Sequence, residues 1–341
     1  MLPRSSMGPG RARGGSTGRE FLRSFDGMES IARSAIARDG TRLEFTEMGA
    51  GSPAVVLSDG VGCAGFVWRY LGTALAPRYR VIHWNYRGHG GSAIPRDRYR
   101  VTLDDCVEDL LAVLDAAGEP RAVLVGHSMG VQVSLEVHRR APKRVAALVL
   151  VCGAPGHPLD TFHDSPALRL VFPFARGAVE KHPTLARLVF KAVVPTDFAI
   201  EMALAHEVNR ARVDRADLAR YFADLAAIDP VVFVRMLASA GETNSSDHLP
   251  EVDVPTLILA GERDTFTPVR LSRAMHRAIP GSELVVIPSG THVAPLEYPA
   301  LVARHVRGFL ARRLGRPARR RTLGEGKAAR PRRPRARKAV P

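Results

Sequence analysis

Four short, almost continuously apolar runs alternate with segments of helical spacing in the first half of the chain. The apolar runs are residues 54–60, 79–86, 121–128 and 145–152, and the helical patterns are residues 65–76, 103–117 and 129–140. Strands covered on both faces lose the alternation of polar and apolar side chains that half-exposed strands show. Strand and helix alternating in this way predict an α/β fold with a mostly parallel, doubly wound sheet and helices on both faces.

The alternation stops after Cys152 and resumes about a hundred residues later. Residues 155–250 show helical spacing alone, and they are followed by strand-like runs at 254–264 and 282–292 and by an amphipathic helix at 298–313. A helical block inserted between two strands is expected over the carboxyl ends of the sheet, where open α/β sheets bind ligands. We therefore predict a helical cap at 155–250 between two parts of one core domain, residues 28–154 and 251–313.

An Asp39-Gly40 pair precedes the first buried strand and is flanked by alternating apolar and polar residues. Asp-Gly supports the two-residue turns whose twist matches that of antiparallel strands. This pair predicts a β-hairpin at the start of the core.

The net charge of +15 lies in the two ends of the chain. Residues 311–341 contain 13 Lys and Arg with one acid, residues 1–27 contain five Arg with two acids, and residues 28–310 contain equal numbers of each sign. Low complexity and few apolar residues predict that residues 1–27 and 314–341 are disordered. A basic tail of this kind binds polyanions nonspecifically at most, and a base-composition bias without any partner is the alternative. No specific nucleic-acid partner is expected.

Composition also excludes several classes of protein. The sequence has no apolar run long enough to span a bilayer and no apolar core of a secretory signal, so a cytoplasmic protein is expected. Cys63, Cys106 and Cys152 form no CxxC pair, and an HExxH motif is absent. Neither a disulfide framework nor a zinc site is therefore predicted, and no cofactor or metal is expected. Oligomeric state stays open.

The segment Gly126-His127-Ser128-Met129-Gly130 follows an apolar strand and opens a helical pattern. This G-x-S-x-G arrangement is typical of a nucleophile elbow, in which a strained strand-to-helix turn exposes a serine hydroxyl. The adjoining helix N-terminus carries a partial positive charge suited to an oxyanion. A serine that merely eases a tight turn near a helix start is the alternative.

A nucleophilic serine requires a base, and the base requires an orienting acid. Asp264 lies in the loop after one late strand and His292 in the loop after the next, which gives the chain order Ser, Asp, His. That order is the one associated with the nucleophile elbow. Glu262 and Asp253 are alternative acids, and Asp264 could instead cap the next helix.

Five motifs carry a family resemblance: SDGVG, NYRGHGGS, GHSMG, GERDTFTP and GTHVAPLEYP. Through them residues 35–312 resemble the α/β-hydrolase superfamily, and within it the capped serine esterase, lactonase and cofactor-free haloperoxidase group. The resemblance implies that Ser128 is the nucleophile, His292 the general acid and base, and Asp264 its orienting partner. It further implies an oxyanion hole formed by the backbone N–H groups of Val61 and Met129.

The chain departs from the family pattern at two positions. Asp59 stands where relatives usually carry His before the oxyanion loop, and Asn85 stands where many carry Asp. An acid beside an oxyanion hole weakens it unless the acid is paired or directed away. Serine at the elbow disfavours the haloalkane dehalogenase and epoxide hydrolase branches, which use aspartate.

Phe66, Trp68 and His127 are candidates for the substrate pocket because they lie near the oxyanion loop and the elbow. Core packing is the alternative for the first two, and a structural place beside the elbow for the third. The expected function is hydrolysis of a small or medium, hydrophobic ester or lactone through an acyl-enzyme. C–C bond hydrolysis and perhydrolysis use the same triad, and a non-catalytic ligand-binding protein on the same scaffold is the remaining alternative.

Overall fold

A computed structural model describes the backbone of residues 21–25, 28–315 and 318–319 and the side chains of residues 30–315. The strands are β1 (Phe21–Phe25), β2 (Met28–Ile36), β3 (Arg42–Met48), β4 (Gly51–Ser52), β5 (Ala54–Ser58), β6 (Val81–Trp84), β7 (Ala122–His127), β8 (Val145–Val151), β9 (Thr256–Gly261), β10 (Glu283–Ile287) and β11 (Ala318–Arg319). The α-helices are α1 (Arg69–Leu75), α2 (Leu103–Ala116), α3 (Met129–Arg140), α4 (Ala167–Lys181), α5 (Pro183–Val193), α6 (Asp197–His206), α7 (Arg215–Ala227), α8 (Pro230–Glu242), α9 (Val269–Ala278), α10 (Ala294–Glu297) and α11 (Pro299–Leu314).

Nine strands form one sheet in the order β1-β2-β3-β6-β5-β7-β8-β9-β10. The six strands from β6 to β10 in this order pair in parallel, whereas β1, β2 and β3 pair antiparallel at one edge. The predicted α/β fold with a mostly parallel sheet is confirmed. The chain order reverses at β5, which lies between β6 and β7, and such a reversal opens a crevice at the carboxyl ends of the strands.

Side chains of one strand alternate between two apolar layers. In β5, Ala54 and Val56 belong to a cluster with residues of α2, α3 and α9, whereas Val55 and Leu57 belong to a second cluster with residues of α1 and α11. Period-two alternation sends successive side chains to opposite faces. Both faces of the sheet are therefore covered by helices, and each fully buried Val or Leu contributes about 1.5–3 kcal/mol.

The predicted hairpin is present between β2 and β3, where Gly40 adopts φ 86° and the N–H of Ala37 donates to the carbonyl of Thr41 at 2.8 Å. The segment between β8 and β9 contains α4 to α8 and short 3₁₀ turns, as its helical spacing predicted. The domain boundaries themselves stay a prediction. Within the residues that the structure describes, no helix has both the length and the apolar character needed to cross a membrane.

Two short stretches of the ends for which disorder is predicted are described as strands. Phe21–Phe25 pairs with β2, and Ala318–Arg319 pairs with β4. An edge strand offers unpaired N–H and C=O groups to any neighbouring chain, which explains why flanking segments of low complexity can add to it. Residues 1–20, 26–27, 316–317 and 320–341 lie outside the described residues, and the prediction of disorder is untested there.

Candidate active site

Ser128 occupies a strained turn between β7 and α3, with φ 53° and ψ −117°. Its two flanking glycines leave no room for side chains. A Cβ at Gly126 would lie 2.1 Å from the carbonyl oxygen of Gly130, and a Cβ at Gly130 would lie 2.3 Å from that of Ser58. The G-x-S-x-G sequence therefore reflects tight contact between the elbow and β5, and a strained serine of this kind is characteristic of a functional site.

Asp264 and His292 form a hydrogen-bonded pair at the carboxyl ends of β9 and β10. The Nδ1 of His292 lies 3.1 and 3.0 Å from the two carboxylate oxygens. Burial acts to raise the pKa of Asp264, but the charge of His292 and hydrogen bonds from His292 and Thr267 outweigh burial and hold that pKa below its usual value. An ionised carboxylate accepts hydrogen bonds only, so Nδ1 carries the proton and Nε2 is left as the acceptor.

The two rival acids lie elsewhere. Glu262 accepts a hydrogen bond from the N–H of Ser289 at 2.9 Å, and Asp253 accepts one from His138 at 3.1 Å. Neither side chain shares a hydrogen bond with His292 in the described part of the chain. Asp264 also accepts the N–H groups of Phe266 and Thr267 in the loop before α9. Because α9 begins at Val269 without a side-chain cap, Asp264 pairs with His292 and does not cap that helix.

Ser128 and His292 line one cavity of about 470 Å³. Among the described residues no hydrogen bond joins Ser128 Oγ to His292, and this link of the triad belongs to the proposal below. The cavity wall is predominantly apolar and is completed by the inserted helical segment, through Leu168, Leu218, Phe222, Phe233 and Leu237. Ligand pockets with few polar groups at one end hold hydrophobic molecules in a fixed orientation.

Val61 and Met129 line the same cavity beside Ser128. Neither backbone N–H donates a hydrogen bond within the described residues. A Cβ at Gly60 would lie 3.0 Å from Ser128 Cβ and 3.4 Å from its Oγ, which places the loop after β5 directly against the serine. Both residues therefore lie in the cavity wall with Ser128, and the role of their amides as oxyanion donors belongs to the proposal below.

Asp59, the departure from the family pattern, is directed away from the cavity. Its Oδ2 lies 2.7 Å from Nε2 of His83 and accepts the N–H of Gly65 at 2.8 Å, and the side chain is 1% exposed. Asp59 is absent from the cavity wall. Oδ2 is therefore paired with His83 of β6 and with the loop N–H of Gly65, whereas Oδ1 is buried without a hydrogen-bond partner among the described residues, and the carboxylate does not line the cavity.

Three side chains that follow or belong to β6 hold this loop from behind. Besides His83, the Tyr86 hydroxyl donates to the carbonyl of Asp59 at 2.8 Å, and Nε2 of His89 accepts the N–H of Gly62 at 3.2 Å. Burial lowers the pKa of His89, so its ring stays neutral and Nε2 can accept. Sequence reasoning missed these supports, because it tested the histidines only for metal-binding spacing. The adjacency of β5 and β6 is the signal that could have found them.

The three predicted pocket residues have different positions. Phe66 lines the cavity and stacks on Tyr221 with ring centroids 4.5 Å apart. Trp68 does not line the cavity. It is fully buried in the apolar cluster that includes Leu71 and Leu75 of α1, which is the core-packing alternative, because successive residues of the helical turn point in different directions.

His127 borders the cavity but is 2% exposed, and its Nε2–H donates to the carbonyl of His292 at 2.9 Å. Burial and then the charge of His292 lower its pKa to about 3. His127 is therefore neutral at physiological pH and fixes the backbone that carries the candidate base. In the part of the chain that the structure describes, no group of three or more His, Cys, Asp or Glu residues could hold a metal ion.

A family model described as the α/β hydrolase fold matches residues 53–299. The chain belongs to the α/β-hydrolase family. A protein of Klebsiella pneumoniae (strain 342), whose name assigns it provisionally to the carbamate hydrolases as RutD, is 29% identical over 250 residues, covering 71% of this chain and 85% of the relative.

Two solved structures of α/β hydrolases resemble the chain closely. A hydrolase from Pseudomonas aeruginosa PA01 superposes with a TM-score of 0.67 and 26% identity, covering 82% of this chain and 98% of the other. A thermophilic esterase from Thermogutta terrifontis superposes with a TM-score of 0.66 and 25% identity, covering 82% and 98%. Membership of this family makes the chain a hydrolase by family, and its substrate is the subject of the proposal that follows.

Proposed function

We propose that this α/β hydrolase is a serine esterase for small or medium, hydrophobic carboxylic esters. One observation carries the proposal: a strained serine, a hydrogen-bonded pair of buried Asp264 and half-buried His292, and two amide donors without a backbone acceptor lie around one apolar cavity. The relatives named as an esterase and as a carbamate hydrolase support an acyl-transfer reaction. Residues 155–250 act in this proposal as the cap that excludes water from the acyl group.

The mechanism follows from the roles of these groups. His292 Nε2 takes the proton of Ser128 as Oγ attacks the ester carbonyl, and the carbonyl π electrons move to the oxygen, which the Val61 and Met129 amides bind. Collapse of this intermediate breaks the bond to the alcohol oxygen, which receives the proton from His292. Water, activated by the same base, then hydrolyses the acyl-enzyme and frees Ser128. Each amide donor contributes roughly 10²–10³ in rate.

Covalent labelling tests the nucleophile. A fluorophosphonate probe is expected to label the wild-type protein and Ser134→Ala but not Ser128→Ala. Ser134 is a matched control because it is buried in α3, the helix that follows Ser128, and its hydroxyl donates to the carbonyl of Gly130 at 2.7 Å. A well-folded wild-type protein that resists labelling contradicts the proposal and favours the non-catalytic ligand-binding alternative.

A substrate panel tests the reaction class. Aryl esters of increasing acyl length, a lactone, an aryl carbamate and a vinylogous diketone are compared with wild type and Ser128→Ala. Because the cavity of about 470 Å³ is apolar, kcat/KM is expected to rise with acyl length and then to fall when the chain outgrows the cavity. Preferred turnover of the diketone would replace the ester assignment by C–C bond hydrolysis with the same residues.

A further inference from the structure

Exposed large apolar side chains are concentrated in one region of the described chain. Twelve are exposed among the described residues, and nine of them lie between residues 170 and 202, on α4, α5 and α6. Soluble proteins seldom expose apolar groups in such concentration unless the surface binds something. Seven of the nine belong to α4 and α5, which are consecutive and separated by His182 alone.

Helix α4 is apolar on both of its sides. Phe172 is buried and Leu168 lines the cavity, whereas Leu170, Val171 and Phe174 face solvent with 63%, 61% and 80% of their surface exposed. A surface helix normally presents polar residues to water and apolar residues to the core. The solvent-exposed side of α4 therefore differs from that of an ordinary surface helix, which carries polar side chains.

Helix α5 repeats the pattern more strongly, because none of its residues is fully buried. Its exposed apolar side chains follow one face at positions i, i+3, i+4 and i+8, namely Leu185, Leu188, Val189 and Val193. This spacing builds a continuous apolar stripe along the helix.

Positive charge accompanies the apolar faces. Residues 166–195 contain five Lys and Arg and a single acid, Glu180. Lys181 and Lys191 are exposed, and neither makes a salt bridge within the described residues, whereas Arg187 pairs with Asp229. Cations beside an exposed apolar face are the composition that favours an anionic lipid surface.

We propose that the α4–α5 hairpin, residues 167–193, docks this hydrolase on the surface of an anionic lipid membrane. Leu170, Phe174 and Leu188 enter the boundary between headgroups and acyl chains, and Lys181 and Lys191 contact lipid phosphates. A second copy of the chain is a poorer partner, because a two-fold interface would bring the same net-positive surface of both copies together. An anionic membrane instead neutralises them.

Helix α4 of the docked face and the exposed helix α6 beyond it also enclose the cavity. Leu168 lines the cavity two residues before exposed Leu170, and Ala203 lines it next to exposed Met202. Resting on the proposed esterase function, this arrangement points to amphiphilic esters that partition into the bilayer as the substrate class. The docking itself is independent of catalysis and is measured without a substrate.

Vesicle co-sedimentation of the full chain tests the surface. Wild type is expected to bind vesicles of phosphatidylglycerol and phosphatidylcholine and to bind pure phosphatidylcholine far less. Phe174→Glu and Leu188→Glu each lose at least about tenfold in partitioning, since each removes a large side chain from the apolar phase. Ile36→Glu is the matched control, because Ile36 is 63% exposed and lies on β2, outside the α4–α5 hairpin; this variant is expected to bind as wild type does.

Charge reversal separates the lysines from the basic tail, which every variant retains. Lys181→Glu with Lys191→Glu is expected to weaken binding to anionic vesicles by roughly tenfold or more, whereas the exposed control Lys143→Glu has no comparable effect. Hairpin variants that bind as wild type does would overturn the proposal and assign binding to the tail. A wild-type dimer that Leu188→Glu converts to a monomer, without vesicle binding by wild type, would overturn it in favour of a second copy. Ser128→Ala must bind vesicles normally, which distinguishes failure of docking from failure of the esterase proposal.

Discussion

Removing the carboxylate of Asp59 should disable the oxyanion loop while leaving the candidate triad in place. In Asp59→Ala, the N–H of Gly65 loses its acceptor at 2.8 Å, and Nε2 of His83 loses its partner at 2.7 Å, both in a buried site. Each unpaired buried group costs about 1–3 kcal/mol, so we expect a loss of roughly 2–6 kcal/mol in the free energy of unfolding. The loop that carries Val61 then loses its support, and kcat should fall about 10²-fold, as for removal of one oxyanion donor.

The assay compares kcat for an aryl ester with the free energy of unfolding in urea. Asp59→Asn retains an oxygen that can accept from Gly65 and should recover most of kcat. Glu47→Ala is a matched stability control, because Glu47 is 7% exposed and accepts from Arg80 at 2.6 and 3.1 Å away from the cavity. If Asp59→Ala loses as much stability as Glu47→Ala but keeps wild-type kcat, the reasoning about the loop is refuted.

Three further predictions concern acidity, backbone contact and cavity size. Burial lowers the pKa of His127 to about 3 in the folded protein, against 6.5 in the unfolded chain. Between these values the unfolded state binds more protons, so the free energy of unfolding falls as the pH drops below about 6.5. Urea unfolding of His127→Gln should therefore show a shallower decline between pH values of about 7 and 5, and a decline equal to that of wild type would contradict the argument. Gly130→Ala should fail to fold or lose at least about 1–3 kcal/mol in the free energy of unfolding, because its Cβ would lie 2.3 Å from the Ser58 carbonyl oxygen. Gly177→Ala, in α4 with open space around the added Cβ, should instead gain up to about 1 kcal/mol by the same measurement. Leu237→Ala should shift the preferred aryl ester toward longer acyl chains by widening the cavity, as the kcat/KM series would reveal.

The parts of the structure that could be predicted are those that depend on local sequence. Continuous apolar runs mark strands covered on both faces, and the fold class followed from their alternation with helices. The candidate elbow was recognisable for the same reason, since its G-x-S-x-G sequence lies between a strand and a helix; Gly126 is required by a contact within this unit, whereas Gly130 is required by contact with Ser58 of the neighbouring strand β5. The positions of Asp264 and His292 followed from their place after successive strands.

What could not be predicted depends on contacts between distant parts of the chain. The direction of the Asp59 carboxylate is decided by His83 on the neighbouring strand, and the direction of Trp68 by the way one helical turn enters the core. The pairing of β1 with the edge of the main sheet and the separate pairing of β11 with β4 depend on contacts that leave little signal in segments of low complexity. The apolar character of the exposed faces of α4 and α5 could not be predicted either, because apolar spacing identifies a face without stating what covers it.

The order of the strands along the chain also determines the order in which the candidate catalytic residues are synthesised. Ser128 and the loop after β5 leave the ribosome with the first part of the sheet, whereas Asp264 and His292 arrive after the whole helical segment has been made. Their strands join the sheet only by pairing β9 on β8 and then β10 on β9. A nascent chain therefore carries its proposed nucleophile before its proposed base, and the proposed esterase activity would require that the last two strands have joined the sheet.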